Sequence, residues 1–203
     1  MSVSIPSSIG EWDSAFFYDG SHSSTFAGCT RLTSVRLAEG LRVLPLHGFS
    51  GCSGLESVAI PSSVTNDIER LGSTAPSGWF SSCPSLREVC VSPEHPWYKS
   101  IDGIVYAKGG KSLLCCPDGK RSVAIPDGVE IIGDYAFDKC SAIEMIELPM
   151  SVTNIGEHAF YGCSGLKSVT IPEGVKQIGD CAFGNCRRLT EIRIPSTGRE
   201  IGL

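Results

Sequence analysis

Ile171-Pro-Glu-Gly-Val175-Lys-Gln-Ile178-Gly-Asp-Cys-Ala182-Phe183-Gly-Asn-Cys186-Arg-Arg-Leu189-Thr-Glu-Ile192-Arg-Ile194 is the stretch that decides how this chain folds. Its landmarks recur 23 residues earlier as Leu148, Pro149, Val152, Ile155, Gly156, Ala159, Phe160, Cys163, Leu166, Val169 and Ile171. Ile125, Leu148 and Ile171 mark one point of three successive turns, as do Cys140, Cys163 and Cys186. Self-similarity at such a period is the signature of a solenoid, in which each repeat is one coil stacked on the next.

Working outward, Leu37 to Cys52 keeps the regular spacing of 15, with Leu41, Leu44 and Phe49 between them and Leu55, Val58 and Ile60 after. Two coils are swollen. Ile5 to Cys29 spans 24 residues and Ile60 to Cys83 spans 23, and both insertions precede the Phe-x-x-Cys segment, at Phe26 and Phe80. From Val91 to Ile125 the gap is 34 and the Ala-Phe-x-x-Cys segment is missing. Residues 92–120 are therefore expected to form a hairpin-like insertion within a single repeat domain spanning 1–203, with Lys108-Gly-Gly110 near the hairpin tip.

Residue types explain the coil. Val169-Thr-Ile171 and Val123-Ala-Ile125 alternate apolar and exposed positions, as a short strand does. The proline that follows has no amide to continue a ladder, so the strand stops. Pro126-Asp-Gly128 and Pro172-Glu-Gly174 suit a tight turn. The Ile-Gly pairs at Gly133, Gly156 and Gly179 are expected at a second corner, where a Cβ would collide or φ must be positive. Asp134, Glu157 and Asp180 then open a segment expected to be a short helical turn, each carboxylate near the turn's amides.

The pattern resembles the BspA-like, or Treponema pallidum-type, leucine-rich repeats, with consensus Ile-Pro-x-x-Val-x-x-Ile-Gly-x-x-Ala-Phe-x-x-Cys-x-x-Leu-x-x-Val, over nearly the whole chain. The segment from Pro96-Trp-Tyr98 through Cys116-Pro117 also resembles one that these proteins often carry. The implied fold is α/β: a right-handed leucine-rich-repeat solenoid with short parallel strands, about eight in number, short helical turns and a β-hairpin insertion after the fourth strand. The resemblance further implies surface-exposed or secreted proteins that bind host or neighbouring-cell proteins.

A formal net charge of -5 with scattered Lys and Arg disfavours a nucleic-acid partner, which calls for a basic stripe. No apolar run approaches the length needed to span a bilayer, so no membrane insertion is expected within this chain. Neither terminal segment carries a polar cap, which fits excision from a longer array or end-to-end pairing with another copy.

No catalytic constellation, metal site or cofactor site is expected. Six of the ten cysteines, Cys29, Cys52, Cys83, Cys140, Cys163 and Cys186, share one repeat position and read as buried thiols; Cys90, Cys115, Cys116 and Cys181 follow no common spacing. The absence of Cys-x-x-Cys and of paired histidines argues against structural zinc. The column Asp134, Glu157, Asp180 stacks carboxylates at about 5 Å, a separation retaining glycosidases use, but solvated caps are the plainer reading. Partner-binding candidates are the outward strand residues Arg36, Glu88, Met145, Glu147, Glu191 and Arg193, and the aromatics Trp12, Trp79, Trp97 and Tyr98 in departures from the repeat.

The function expected is a non-catalytic protein-protein interaction module, adhesin-like and at the cell surface or secreted. The alternative is a cytoplasmic leucine-rich-repeat scaffold or regulatory protein, favoured by unpaired thiols and by the absence of an Asn-x-Ser/Thr sequon.

Overall fold

The computed structural model describes residues 2–5, 26–42, 44, 47–64, 79–194 and 200–201. Its strands are β1 (Ser2–Ile5), β2 (Ser34–Leu37), β3 (Ser57–Ile60), β4 (Glu88–Val91), β5 (Tyr98–Ile101), β6 (Ile104–Ala107), β7 (Ser112–Cys115), β8 (Ile131–Ile132), β9 (Met145–Glu147), β10 (Asn154–Ile155), β11 (Ser168–Thr170), β12 (Gln177–Ile178), β13 (Glu191–Arg193) and β14 (Glu200–Ile201).

The strands at the Val-x-Ile positions stack in parallel, β1-β2-β3-β4 in one sheet and β9-β11-β13 in another. Register follows the repeat, with Val35 opposite Val58 and Val58 opposite Val89. Val35, Leu37, Val58, Ile60, Val89 and Val91 point inward, while Arg36, Ala59 and Cys90 point out. Burying each such side chain contributes about 2 kcal/mol before chain entropy is charged against it.

Ser122–Ile125, expected as the fifth strand of this series, is not paired as one. The insertion has taken the edge it would have joined. Val89 N donates to Gly103 O at 3.0 Å and Val91 N to Ser100 Oγ at 3.0 Å, which satisfies the amides β4 turns outward. Gly103 reaches that edge because it has no Cβ; one would lie 2.9 Å from Glu88 Cα, and its φ of 70° is left-handed. Without a ladder on either side, Val123 and Ile125 remain half-buried.

The insertion is a three-stranded meander: β5 and β6 are antiparallel, as are β6 and β7, and residues 108–111 turn between the latter two. Strand β7 then lies parallel to β8 and continues a second ladder, β8-β10-β12-β14, formed by the Ile-Gly corners of later coils. Ile104, Tyr106, Leu113 and Cys116 belong to the core of the C-terminal coils, whereas Val105, Leu114 and Cys115 belong to that of the N-terminal coils. Burial on both faces explains why Ile104-Val-Tyr106 and Leu113-Leu-Cys-Cys116 read as continuous apolar runs. The meander replaces one coil and joins the two cores.

The Ala-Phe segments are runs of turns, not the helical turns expected. Their amides are used between coils: Tyr135 N donates to Glu157 O at 2.9 Å, Phe137 N to Ala159 O at 2.7 Å and Lys139 N to Tyr161 O at 2.7 Å. A helix would spend these donors internally. Alternating them outward requires left-handed residues, found at Tyr135 (φ 57°), Lys139 (60°), His158 (53°), Cys181 (50°) and Asn185 (57°). The corner glycines are there for space: a Cβ on Gly156 would lie 2.6 Å from Asp134 N, and one on Gly179 2.5 Å from Glu157 N. Neither of these two has positive φ.

Inside this side of the coil, Phe137, Phe160 and Phe183 form a stacked column of near-parallel rings, with centroids 4.8 and 5.1 Å apart. Beside it, Cys163 Sγ donates to Phe137 O and Cys186 Sγ to Phe160 O, both at 3.1 Å.

Candidate binding face and insertion

Parallel stacking turns the outward strand positions into columns. Ser2, Ser34, Ser57 and Glu88 form one; Arg36, Ala59 and Cys90 form the next. Small side chains leave a shallow groove of about 480 Å³, lined by Ser34, Arg36, Ser57, Ala59, Glu88 and Cys90. Burial and the nearby Glu88 carboxylate push the Cys90 thiol up, so it is a poor nucleophile at neutral pH.

On the C-terminal sheet Met145 stacks beside Ser168 and Glu191, and Glu147 beside Thr170 and Arg193. Arg193 Nε donates to Glu191 Oε1 at 2.9 Å within one strand. Met145 is 64% exposed. A second groove, about 430 Å³, runs between it and Ser122–Ile125, where the ladder is broken. The six strand candidates thus lie on one kind of face, in two sheets separated by the insertion.

The aromatic candidates divide. Trp97 is 54% exposed at the entrance to β5. Trp79 and Tyr98 are buried and meet edge to face at 6.1 Å, so neither can be offered to a partner. They fill the space where the insertion packs on the N-terminal core. Trp12 lies outside the described residues.

His95, given no role by the repeat pattern, anchors that packing. It is fully buried, with Nε2 2.7 Å from Val64 O, and its Nδ1 accepts from Trp97 N at 3.2 Å and Tyr98 N at 3.1 Å. This pattern fixes a neutral ring protonated on Nε2, and desolvation lowers its pKa. Asp118 is a second unheralded group. Its Oδ2 accepts from Cys83 N at 2.9 Å, and burial pushes its pKa up to about 6. A cavity of about 10 Å³, lined by Phe80, Cys115, Cys116, Asp118, Tyr135 and Asp138 among others, marks this joint.

Asp134, Glu157 and Asp180 line a shallow groove with Asn154 and Gln177, not a cleft. Asp134 Oδ1 accepts from Glu157 N at 2.9 Å, an amide of the following coil. Glu157 Oε1 contacts His158 Nδ1 at 3.1 Å. Among the described residues no group of three or more His, Cys, Asp or Glu side chains is arranged to hold a metal ion. Also among them, no helix is long and apolar enough to cross a membrane.

The family model for the BspA-type leucine-rich repeat region matches residues 21–100 and 116–203, in six copies. No curated protein matches the chain. Solved structures with similar folds include the pneumococcal vaccine antigen PcpA, with TM-score 0.70 and 22% identity over 88% of this chain and 43% of that one. A leucine-rich repeat protein from Eubacterium ventriosum aligns with TM-score 0.63 and 22% identity over 84% of this chain and 50% of its own. A leucine-rich cell surface protein from Faecalibacterium prausnitzii gives 0.54 and 24% over 88% and 62%. The chain spans less than two thirds of each of these proteins.

Proposed function

The chain belongs to the BspA-type leucine-rich repeat family, and from that premise we propose that it is a non-catalytic recognition module of a surface-exposed or secreted adhesin-like protein, binding a protein partner through its outward strand face and the rim of its insertion. The observation that carries this reading is the in-register face of β1 to β4, a groove of small side chains flanked by Arg36 and Glu88. Small residues let a partner's side chains approach the strands, while opposite charges at its margin fix orientation. The exposed Trp97 supplies an aromatic anchor of the kind that dominates binding energy.

A surface location is supported by two of the similar folds, one described as a cell surface protein and one as a vaccine antigen. A cytoplasmic scaffold is the second reading, favoured by the ten cysteines, all free. Treating intact cells with a membrane-impermeant amine-labelling reagent separates them. Labelling of the native protein before lysis is the expected result; labelling only after lysis would leave the cytoplasmic scaffold.

A further inference from the structure

The second groove of the strand face opens where the ladder is broken. Ahead of their strands, other successive coils are joined by one backbone bond: Glu56 N donates to Thr33 O, Arg87 N to Glu56 O, Lys167 N to Glu144 O and Thr190 N to Lys167 O. Among the described residues no such bond joins Glu144 to Arg121, and β9 pairs with β11 alone. The side chains behind the gap are left unsealed. Val35, Val58, Val89, Ile146 and Val169 hold the place of Val123 on other coils and are at most 3% exposed, whereas Val123 and Ile125 are half-buried. These two line the groove with Met145 and Leu148, and the exposed carboxylates of Asp127 and Glu147 stand beside them. No lysine, arginine or histidine is among the lining side chains. Acids around it are neutralised within the protein, Glu144 by Lys167 at 2.6 Å and Glu191 by Arg193 at 2.9 Å, but Asp127 and Glu147 have no partner among the described residues.

Resting on the recognition role proposed above, we propose that this groove seats an extended, basic segment of the partner protein in which lysine or arginine alternates with aliphatic side chains. The outward residues of β9, Met145 and Glu147, are two apart, about 6.6 Å along the strand, which is the side-chain repeat of an extended chain. Aliphatic side chains of the segment settle on Val123, Ile125 and Met145 and take their apolar surface out of water. Met145, unbranched and 64% exposed, adapts to their shape. The cationic heads between them reach Glu147 and Asp127, whose charges nothing else answers. Those two carboxylates select a basic segment over an acidic one, and the unsealed aliphatic floor selects it over one that is merely cationic.

The test is a fluorescence-anisotropy titration of the whole chain against a labelled synthetic peptide that alternates lysine with leucine. Peptides alternating glutamate with leucine, and lysine with serine, are the controls. The lysine–leucine peptide should bind, more weakly as salt rises, and each control should bind at least about fivefold more weakly. Asp127→Asn with Glu147→Gln should weaken the lysine–leucine peptide at least about fivefold, and Met145→Ser should do the same. Glu157→Gln with Asp180→Asn, the same change of charge in the groove of the other ladder, should leave its affinity unmoved, and all variants are exposed positions whose denaturant midpoint should hold. Equal losses from the two charge pairs would reduce the effect to the net charge of the chain and overturn the proposal, as would no binding or equal binding of all three peptides. A dimer of the chain alone in sedimentation, abolished by Met145→Ser, would assign the groove to a second copy and also overturn it. Each of these failures leaves the recognition role itself to the strand face of β1 to β4, so losses from Arg36→Ala alone would sink the groove and keep that role.

Discussion

Cys163 donates its thiol to the carbonyl of Phe137, 3.1 Å away and one coil back, while that carbonyl also accepts the amide of Cys140 at 3.1 Å. The repeat cysteine is thus a small side chain with a donor, placed where a second lone pair would otherwise be buried unused. Cys163→Ala keeps most of the packing but loses the donor, and should cost about 1–2 kcal/mol in urea unfolding. Cys163→Val keeps no donor and adds volume at a site with 1% exposure, so it should cost more than alanine.

Phe160 lies between Phe137 and Phe183 with essentially no exposure. Phe160→Ala should open a cavity between three coils and lower stability by about 3–5 kcal/mol, read from the denaturant midpoint. The matched change in an exposed ring, Trp97→Ala, should leave the midpoint almost unmoved.

At the Gly156 corner a Cβ would lie 2.6 Å from Asp134 N and 2.8 Å from Gly133 C, both backbone atoms that cannot step aside. Gly156→Ala should therefore destabilise by roughly 1–3 kcal/mol through a clash. Gly128→Ala, where space is open but φ is 91°, should also be unfavourable, for conformational reasons alone.

The half-buried Asp118 and the buried His95 give opposite pH dependences. The Asp118 carboxyl, raised from 3.8 to about 6, favours the fold when protonated; its contribution is complete below pH 3.8 and lost as pH rises through about 6. Asp118→Asn keeps an acceptor for Cys83 N without the charge, and should raise stability at pH 7.5 by about 1–3 kcal/mol, with the gain vanishing near pH 3.5. His95 runs the other way. Its lowered pKa makes the unfolded chain bind the proton first, so its contribution holds above pH 6.5 and falls as pH drops below that. In the Asp118→Asn background, the thermal midpoint should fall between pH 7 and 5, and His95→Asn should flatten that fall.

Much of the coil was legible from recurrence alone. The period, the core residues and the Val-x-Ile strands other than Ser122–Ile125 follow from one side chain in every 23-residue frame meeting its own kind on the next coil. What the repeat could not reveal lies where backbone bonds, not side-chain pattern, decide. The Ala-Phe segment looks helical because its carboxylate precedes apolar residues, yet its amides are committed to the neighbouring coil. Ser122–Ile125 has the strand pattern but no partner, since Gly103 and Ser100 hold the edge of β4. No frame of the repeat assigned an inside or an outside to the aromatics in its departures; among the described candidates Trp79 and Tyr98 pack beneath the insertion and Trp97 stays out. Cys115 and Cys116 lack the spacing of the other thiols because the last strand of the insertion, not a coil, brings them into the two cores.

The most direct test of the recognition role places a photo-crosslinking residue at Arg36 on the strand face, at Trp97 on the insertion rim, and at Lys139 on the Ala-Phe side of the coil. Each variant is applied to intact cells, and the yield of protein adducts is measured. The account predicts a discrete adduct from positions 36 and 97 and none from 139. Adducts from 139 alone, or equal yields from all three positions, would contradict it.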